Sequence, residues 1–238
     1  MARMYLFSGR LWLAGVAGVL ALLATPTAAA PASQIVVYGA ASGSTLTLST
    51  RDGNVVVHGN MARRSPEGCR IDRHHMNAVC PTGGRSSLEV RMGDSGDLVR
   101  VAERMPFPLI AHLGAGSDKF IGNAERDVCF SEGSRRNRCI GGPNNDVCIT
   151  GPQNSDCVGG PGDDFCRHET GSDGCWGGPG EDVCVMGPGE DGCHGGPGND
   201  LLFGGASPDQ LYGGLGHDYC NGGPGWGKSH SCDAGPRR

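Results

Sequence analysis

The chain has 238 residues, of which 43 are glycine and 12 cysteine, with aromatics at only 5% and a formal charge of −5. So few large side chains cannot fill a conventional core for a chain of this length, and cross-links or bound ions must contribute. Mild acidity suits cation binding and argues against a nucleic-acid partner.

Residues 1–32 read as a leader. Arg3 and Arg10 form a positive start, Leu11 to Leu23 is an apolar run, and the small residues Ala28, Ala29, Ala30, Pro31 and Ala32 follow. This is the pattern of a secretory signal peptide, cut here before Ser33. The run is too short and wrongly flanked for a stable membrane span, and no later segment is apolar enough for one. Removing it takes the formal charge from −5 to about −7. The mature chain is expected to be secreted and extracellular. An even cysteine count behind such a leader implies disulfides, and the lack of any C-x-x-C pair disfavours a thiolate metal site.

Residues 33–105 read as a β-rich cap. Gln34–Tyr38, Asn54–His58 and Ser87–Arg91 are β-branched or alternating runs separated by turn signals such as Asp52-Gly53. Cys69 and Cys80 bracket a loop containing His74 and His75 and are expected to close it. A solvated loop is the preferred reading of that histidine pair, over a transition-metal site. A cap is needed because a solenoid has an apolar end to cover. Gly93–Asp97 is a degenerate copy of the repeat that follows.

Residues 106–222 carry the repeat. Gly114–Asp118 is a second degenerate copy, with Phe120 expected to point inward, and Asp127 follows Asp118 by nine. After a one-residue slip near Asn137 a strict beat runs through Asp146, Asp164, Asp173, Asp182, Asp191, Asp200, Asp209 and Asp218, missing once at Ser155. Glycine-rich stretches precede each acid, and a cysteine or leucine sits two residues after it. A nonapeptide period of the form G-G-x-G-x-D-x-U-x indicates a parallel β-roll. Its two halves alternate, Asp146, Asp164 and Asp182 being followed by Val or Phe, Asp173 and Asp191 by Gly. The structural unit is therefore 18 residues, one full turn with two short strands on opposite faces. Residues 223–238 read as a tail. The fold class is all-β, a parallel β-roll of 18 residues per turn with an N-terminal cap.

Glycines let the loops turn tightly and bring backbone carbonyls near an ion, while the aspartates add hard charged oxygens. Calcium takes six to eight oxygens, so one loop is half a site and the loop 18 residues away completes it. The expected ligands are Asp146, Asp164, Asp182, Asp200 and Asp218 in one column, and Asp173, Asp191 and Asp209 in another, with Asp118 and Asp127 leading in. These residues resemble the hemolysin-type calcium-binding nonapeptide repeats of the RTX family. Gly195–Phe203 matches that pattern at every defined position. The resemblance implies a calcium-dependent β-roll outside the cell.

The chain departs from that pattern at the inward position, where cysteine replaces the aliphatic residue at 139, 148, 157, 166, 175, 184, 193 and 220, leucine remaining at 202 and 211. The expected bonds are sequential: Cys69–Cys80, Cys129–Cys139, Cys148–Cys157, Cys166–Cys175, Cys184–Cys193 and Cys220–Cys232. Pairing at 18 residues, between strands about 4.8 Å apart, also leaves no orphan. Loss of Cys at 202 and 211 together, the two halves of one turn, favours the nine-residue scheme.

Two motifs are discounted. Gly222–Ser229 matches a P-loop formally but lacks the strand–helix setting that nucleotide binding requires. Gly93-Asp94-Ser95-Gly96 resembles a protease nucleophile loop, yet no complete catalytic constellation can be assembled in residues 33–105. The reading is a non-enzymatic calcium-binding protein, with calcium ions as its partner and no nucleotide. The alternative is a rigid rod whose row Trp176, Val185, His194, Phe203 and Tyr212 faces a cell-surface or matrix partner. There is no threonine row, which counts against ice binding.

Overall fold

The structure is a computed structural model and describes residues 34–62, 68–72, 74, 76–102, 104–133, 135–225 and 227–233. The leader and His75 lie outside the described residues. Every regular element among those described is a β-strand, and the strands stack in parallel about 18 residues apart to form a β-solenoid.

Two sheets face each other. The nine-stranded sheet runs from Gln34–Tyr38 through Ser87–Arg91, Leu109–His112, Val128–Ser131, Val147–Thr150, Phe165–Arg167, Val183–Val185 and Leu201–Phe203 to Tyr219–Asn221. The twelve-stranded sheet stacks Thr45–Arg51, Leu98–Val101, Lys119–Ile121, Arg138–Ile140, Asp156–Val158, Gly174–Trp176, Gly192–Pro197, Gln210–Leu215 and Lys228–His230 in the same sense. The parallel stack thus reaches back to Gln34, which pairs in register with Ser87. Beyond Thr45–Arg51 the second sheet continues with antiparallel Asn54–Gly59, Asn77–Pro81 and Arg70–Ile71. Asp52 and Gly53 both take left-handed φ, 51° and 70°, as a two-residue hairpin turn of the favoured twist demands.

Each strand sends one or two side chains inward. Toward the N-terminal end these are Ile35, Val37, Leu46, Leu48, Leu88, Val90 and Val99, each at most 1% exposed. Phe120 is likewise buried, and beyond it the inward position is cysteine down to Leu202 and Leu211. The cysteine rungs lie in register, Cys148 against Cys166 and Cys184 on one sheet, Cys157 against Cys175 and Cys193 on the other.

The disulfides cross between the sheets rather than along them. Cys129–Cys139, Cys157–Cys166 and Cys175–Cys184 hold Cα atoms 6.3, 6.1 and 6.5 Å apart. Stacked sheets usually lie about 10 Å apart, so the short cysteine side chain makes this roll thin. Cys69–Cys80 and Cys220–Cys232 close as the spacing predicts. The three expected central bonds, Cys148–Cys157, Cys166–Cys175 and Cys184–Cys193, are replaced by Cys157–Cys166 and Cys175–Cys184, and Cys148 and Cys193 are free and buried. Nine residues forward and nine backward are equivalent half-turn steps, so spacing sets the direction of pairing but not its phase.

The expected row of Trp176, Val185, His194, Phe203 and Tyr212 is two rows. A nine-residue step changes sheet, so Trp176, His194, Tyr212 and His230 stack on the twelve-stranded sheet with centroids 6.3, 4.5 and 4.9 Å apart. Val185 and Phe203 pair on the other sheet.

Candidate functional site

Turns between the sheets form two edges. On the first edge lie the loops ending at Asp127, Asp146, Asp164, Asp182, Asp200 and Asp218; on the second, those ending at Asp97, Asp118, Asn137, Ser155, Asp173, Asp191 and Asp209. Tight loop stacking holds both edges. In the first-edge loops the second glycine of one turn hydrogen-bonds to the first glycine of the turn above, as in Gly160 N–H to Gly177 O at 2.8 Å and Gly178 N–H to Gly195 O at 2.9 Å. At Gly178 φ is +118°, and an added Cβ would lie 2.1 Å from the carbonyl oxygen of Gly160. Only glycine fits such an approach.

The aspartates turn inward and are buried, none of the ten expected ligands being more than 5% exposed. One oxygen has a structural task. Oδ1 of Asp164 accepts the backbone N–H of Asp146 at 2.7 Å, and the pattern repeats from Asp164 to Asp182, Asp182 to Asp200 and Asp200 to Asp218 at 2.7–3.0 Å. On the second edge Ser155, Asp173 and Asp191 donate to Asp173, Asp191 and Asp209 in the same way. Each aspartate therefore locks the register of the turn before it. Asn137 fills that role at the slip, its Oδ1 accepting the N–H of Asp118 at 2.7 Å. Asn137 carries no charge to mark it in the repeat; its place two residues before inward Cys139 is the signal.

The other oxygen is left over. Oδ2 of Asp118, Asp146, Asp164, Asp173, Asp182, Asp191, Asp200, Asp209 and Asp218 is buried without a hydrogen-bond partner, as is that of Asp97. Asp127 differs, since its Oδ2 accepts from the backbone N–H and side-chain amide of Asn123. Unpartnered buried carboxylate oxygens are costly, and a chain retaining a column of them needs a cation or protons there. Burial pushes the carboxyl of Asp146 up to about 8 and those of Asp164, Asp182 and Asp191 to about 7. Burial also raises Asp127 to about 7, and Asp118, Asp173 and Asp209 to about 6.

The space beside each first-edge oxygen is lined by backbone. A Cβ on Gly159, Gly177 or Gly195 would fall 2.2, 2.3 or 2.2 Å from the Oδ2 of the aspartate in the same loop. The Gly195 position also lies 2.7 Å from the carbonyl of Gly213, in the next turn. Hard anionic oxygen and backbone carbonyls, brought close by glycine, form a donor set that fits calcium. No other metal arrangement among the described residues competes with it. Among the described residues, the cluster of three metal-type ligand atoms within 4.8 Å of one another is Cys175, Cys184 and Cys193, and the first two share a disulfide. His74 donates its backbone N–H to Asp72.

The discounted motifs also find their places. In the P-loop look-alike, Lys228–His230 is a strand paired with Gln210–Tyr212. Ser95 donates its hydroxyl to the carbonyl of Ala41. No curated protein and no solved structure matches the chain. The family model that does match, over residues 194–225, is that of the RTX calcium-binding nonapeptide repeat, in four copies.

Proposed function

We propose that this is a secreted, non-enzymatic calcium-binding β-roll in which ions sit between stacked loops. Asp146, Asp164, Asp182, Asp200 and Asp218 would supply charged oxygens, and loop carbonyls would complete each shell. Bound calcium would neutralise buried carboxylates whose Oδ2 has no hydrogen-bond partner among the described residues. The observation that carries this reading is the column of Oδ2 atoms facing glycine cradles. Secretion is supported by the apolar leader with Arg3 and Arg10 and by the cross-sheet disulfides.

Calorimetric titration of calcium into the calcium-free, disulfide-bonded protein tests the reading. Saturable heat between about 10⁻⁴ and 10⁻³ M is expected, the range of extracellular calcium modules, with magnesium giving none. A titration without heat would reject it in favour of a rigid rod. The feature that reading would use is the surface stack of Trp176, His194, Tyr212 and His230, with Tyr212 half-buried.

A further inference from the structure

The two edges differ at one position, five residues before each acid. On the first edge this position is always glycine: Gly122, Gly141, Gly159, Gly177, Gly195 and Gly213. On the second it carries an inward side chain in every loop before the last acidic one. Leu113, Ser131, Thr150, His168 and Met186 are 0–4% exposed there, with Met92 partly buried ahead of them. Ser131 takes this place because the slip lengthens its loop, and it pairs in register with Thr150. Gly204, before Asp209, restores glycine.

The position matters because its Cβ points at the leftover carboxylate oxygen. At Gly204 an added Cβ would sit 2.4 Å from Asp209 Oδ2, as on the first edge. A real side chain therefore occupies the volume an ion would need. Thr150 and His168 go further and form a polar contact, Oγ1 to Nδ1 at 2.7 Å, with Nδ1 3.8 Å from Asp173 Oδ1. The second edge keeps its register bonds from Ser155 to Asp209 while Thr150, His168 and Met186 fill its interior.

Resting on the calcium reading, we infer that calcium binding is one-sided. Ions occupy the first edge from Asp146 to Asp218 and the terminal Asp209 loop, whereas Asp118, Asp173 and Asp191 serve as register-keeping carboxyls beside packed side chains. This departs from the expectation of calcium ligands in both columns, the second weak only at Ser155. The first edge and the Asp209 loop respond to calcium; the rest of the second edge is held by protein alone.

Native mass spectrometry of the disulfide-bonded protein in millimolar calcium counts bound ions and tests the inference. Asp164→Asn and Asp182→Asn should each lower the count, and Asp173→Asn and Asp191→Asn should leave it unchanged. Asparagine preserves the register bond, as Asn137 does, and circular dichroism of the same samples verifies the fold. Met186→Gly, which opens the cradle before Asp191, should raise the count. Equal losses from Asp173→Asn and Asp182→Asn would overturn one-sidedness while leaving calcium binding intact. A wild type that holds no calcium at all would overturn both readings.

Discussion

At the scale of single residues, the motif aspartate does two separable jobs. Its Oδ1 ties one turn to the next and its Oδ2 faces the proposed ion. Asp182→Asn keeps the first and loses the second, and as a permanently neutral group it should raise calcium-free stability at neutral pH while calcium stabilisation falls. Asp182→Ala loses both, and should be about 1–2 kcal/mol less stable than Asp182→Asn in calcium-free urea unfolding through the unpaired Asp164 N–H. Equal calcium-free stabilities of the two variants would refute the register role. Gly178 is a stricter case. Its positive φ and the nearby Gly160 carbonyl make Gly178→Ala cost about 1–3 kcal/mol or more, measurable by the same unfolding curves. The free thiols are a third. Cys148 and Cys193 are buried, and burial pushes both thiols well above their ordinary range, so alkylation of the folded protein should leave them untouched. Denaturation without reductant should then label both, and peptide mapping should find them unbridged; a Cys148–Cys157 bond would contradict the structure.

At the scale of the repeat, burial of the acids sets a pH dependence. Asp146, Asp164 and Asp182 titrate near 7 to 8 in the fold against 3.8 in an unfolded chain. The folded state thus binds more protons than the unfolded one between those values, and stability falls as pH rises through them. The calcium-free protein should melt at a higher temperature at pH 5 than at pH 8, and calcium should erase most of the difference by supplying the missing charge. A calcium-free melting temperature that rises with pH would count against this. The repeat also shows how far periodicity reads. Nine-residue phase told which residues face inward and that opposite halves alternate, because each half-turn uses the same number of residues. It did not tell that Thr45–Arg51 joins the parallel stack, because the hairpin after it interrupts the period. The lone contrast between glycine and a larger residue before the acid was in the sequence, but its weight appears only when the Cβ is seen to meet Oδ2.

For the whole molecule, stability rests on two independent supports. Five disulfides close loops of nine to twelve residues, each restricting the unfolded chain by about 3 kcal/mol in the entropy model. The inner faces from Ile35 to Phe120 add a conventional apolar core at one end. Chelating calcium should therefore leave a β-type circular dichroism spectrum while the disulfides are intact, and chelation plus reduction should abolish it. A coil spectrum in chelator alone would show that the ions dominate.

The sequence by itself determined the period, the all-β parallel roll, the inward cysteines and the nonglobular composition, because each follows from residue type at fixed spacing. Tertiary structure decided what spacing leaves degenerate. It selected one of two equal phases for the cysteine bonds, and divided one apolar row between two sheets. It gave each aspartate a register bond beside its free oxygen, and distinguished an open edge from a filled one. All four depend on which atoms meet across a half-turn of the roll, and a linear repeat carries no record of that meeting.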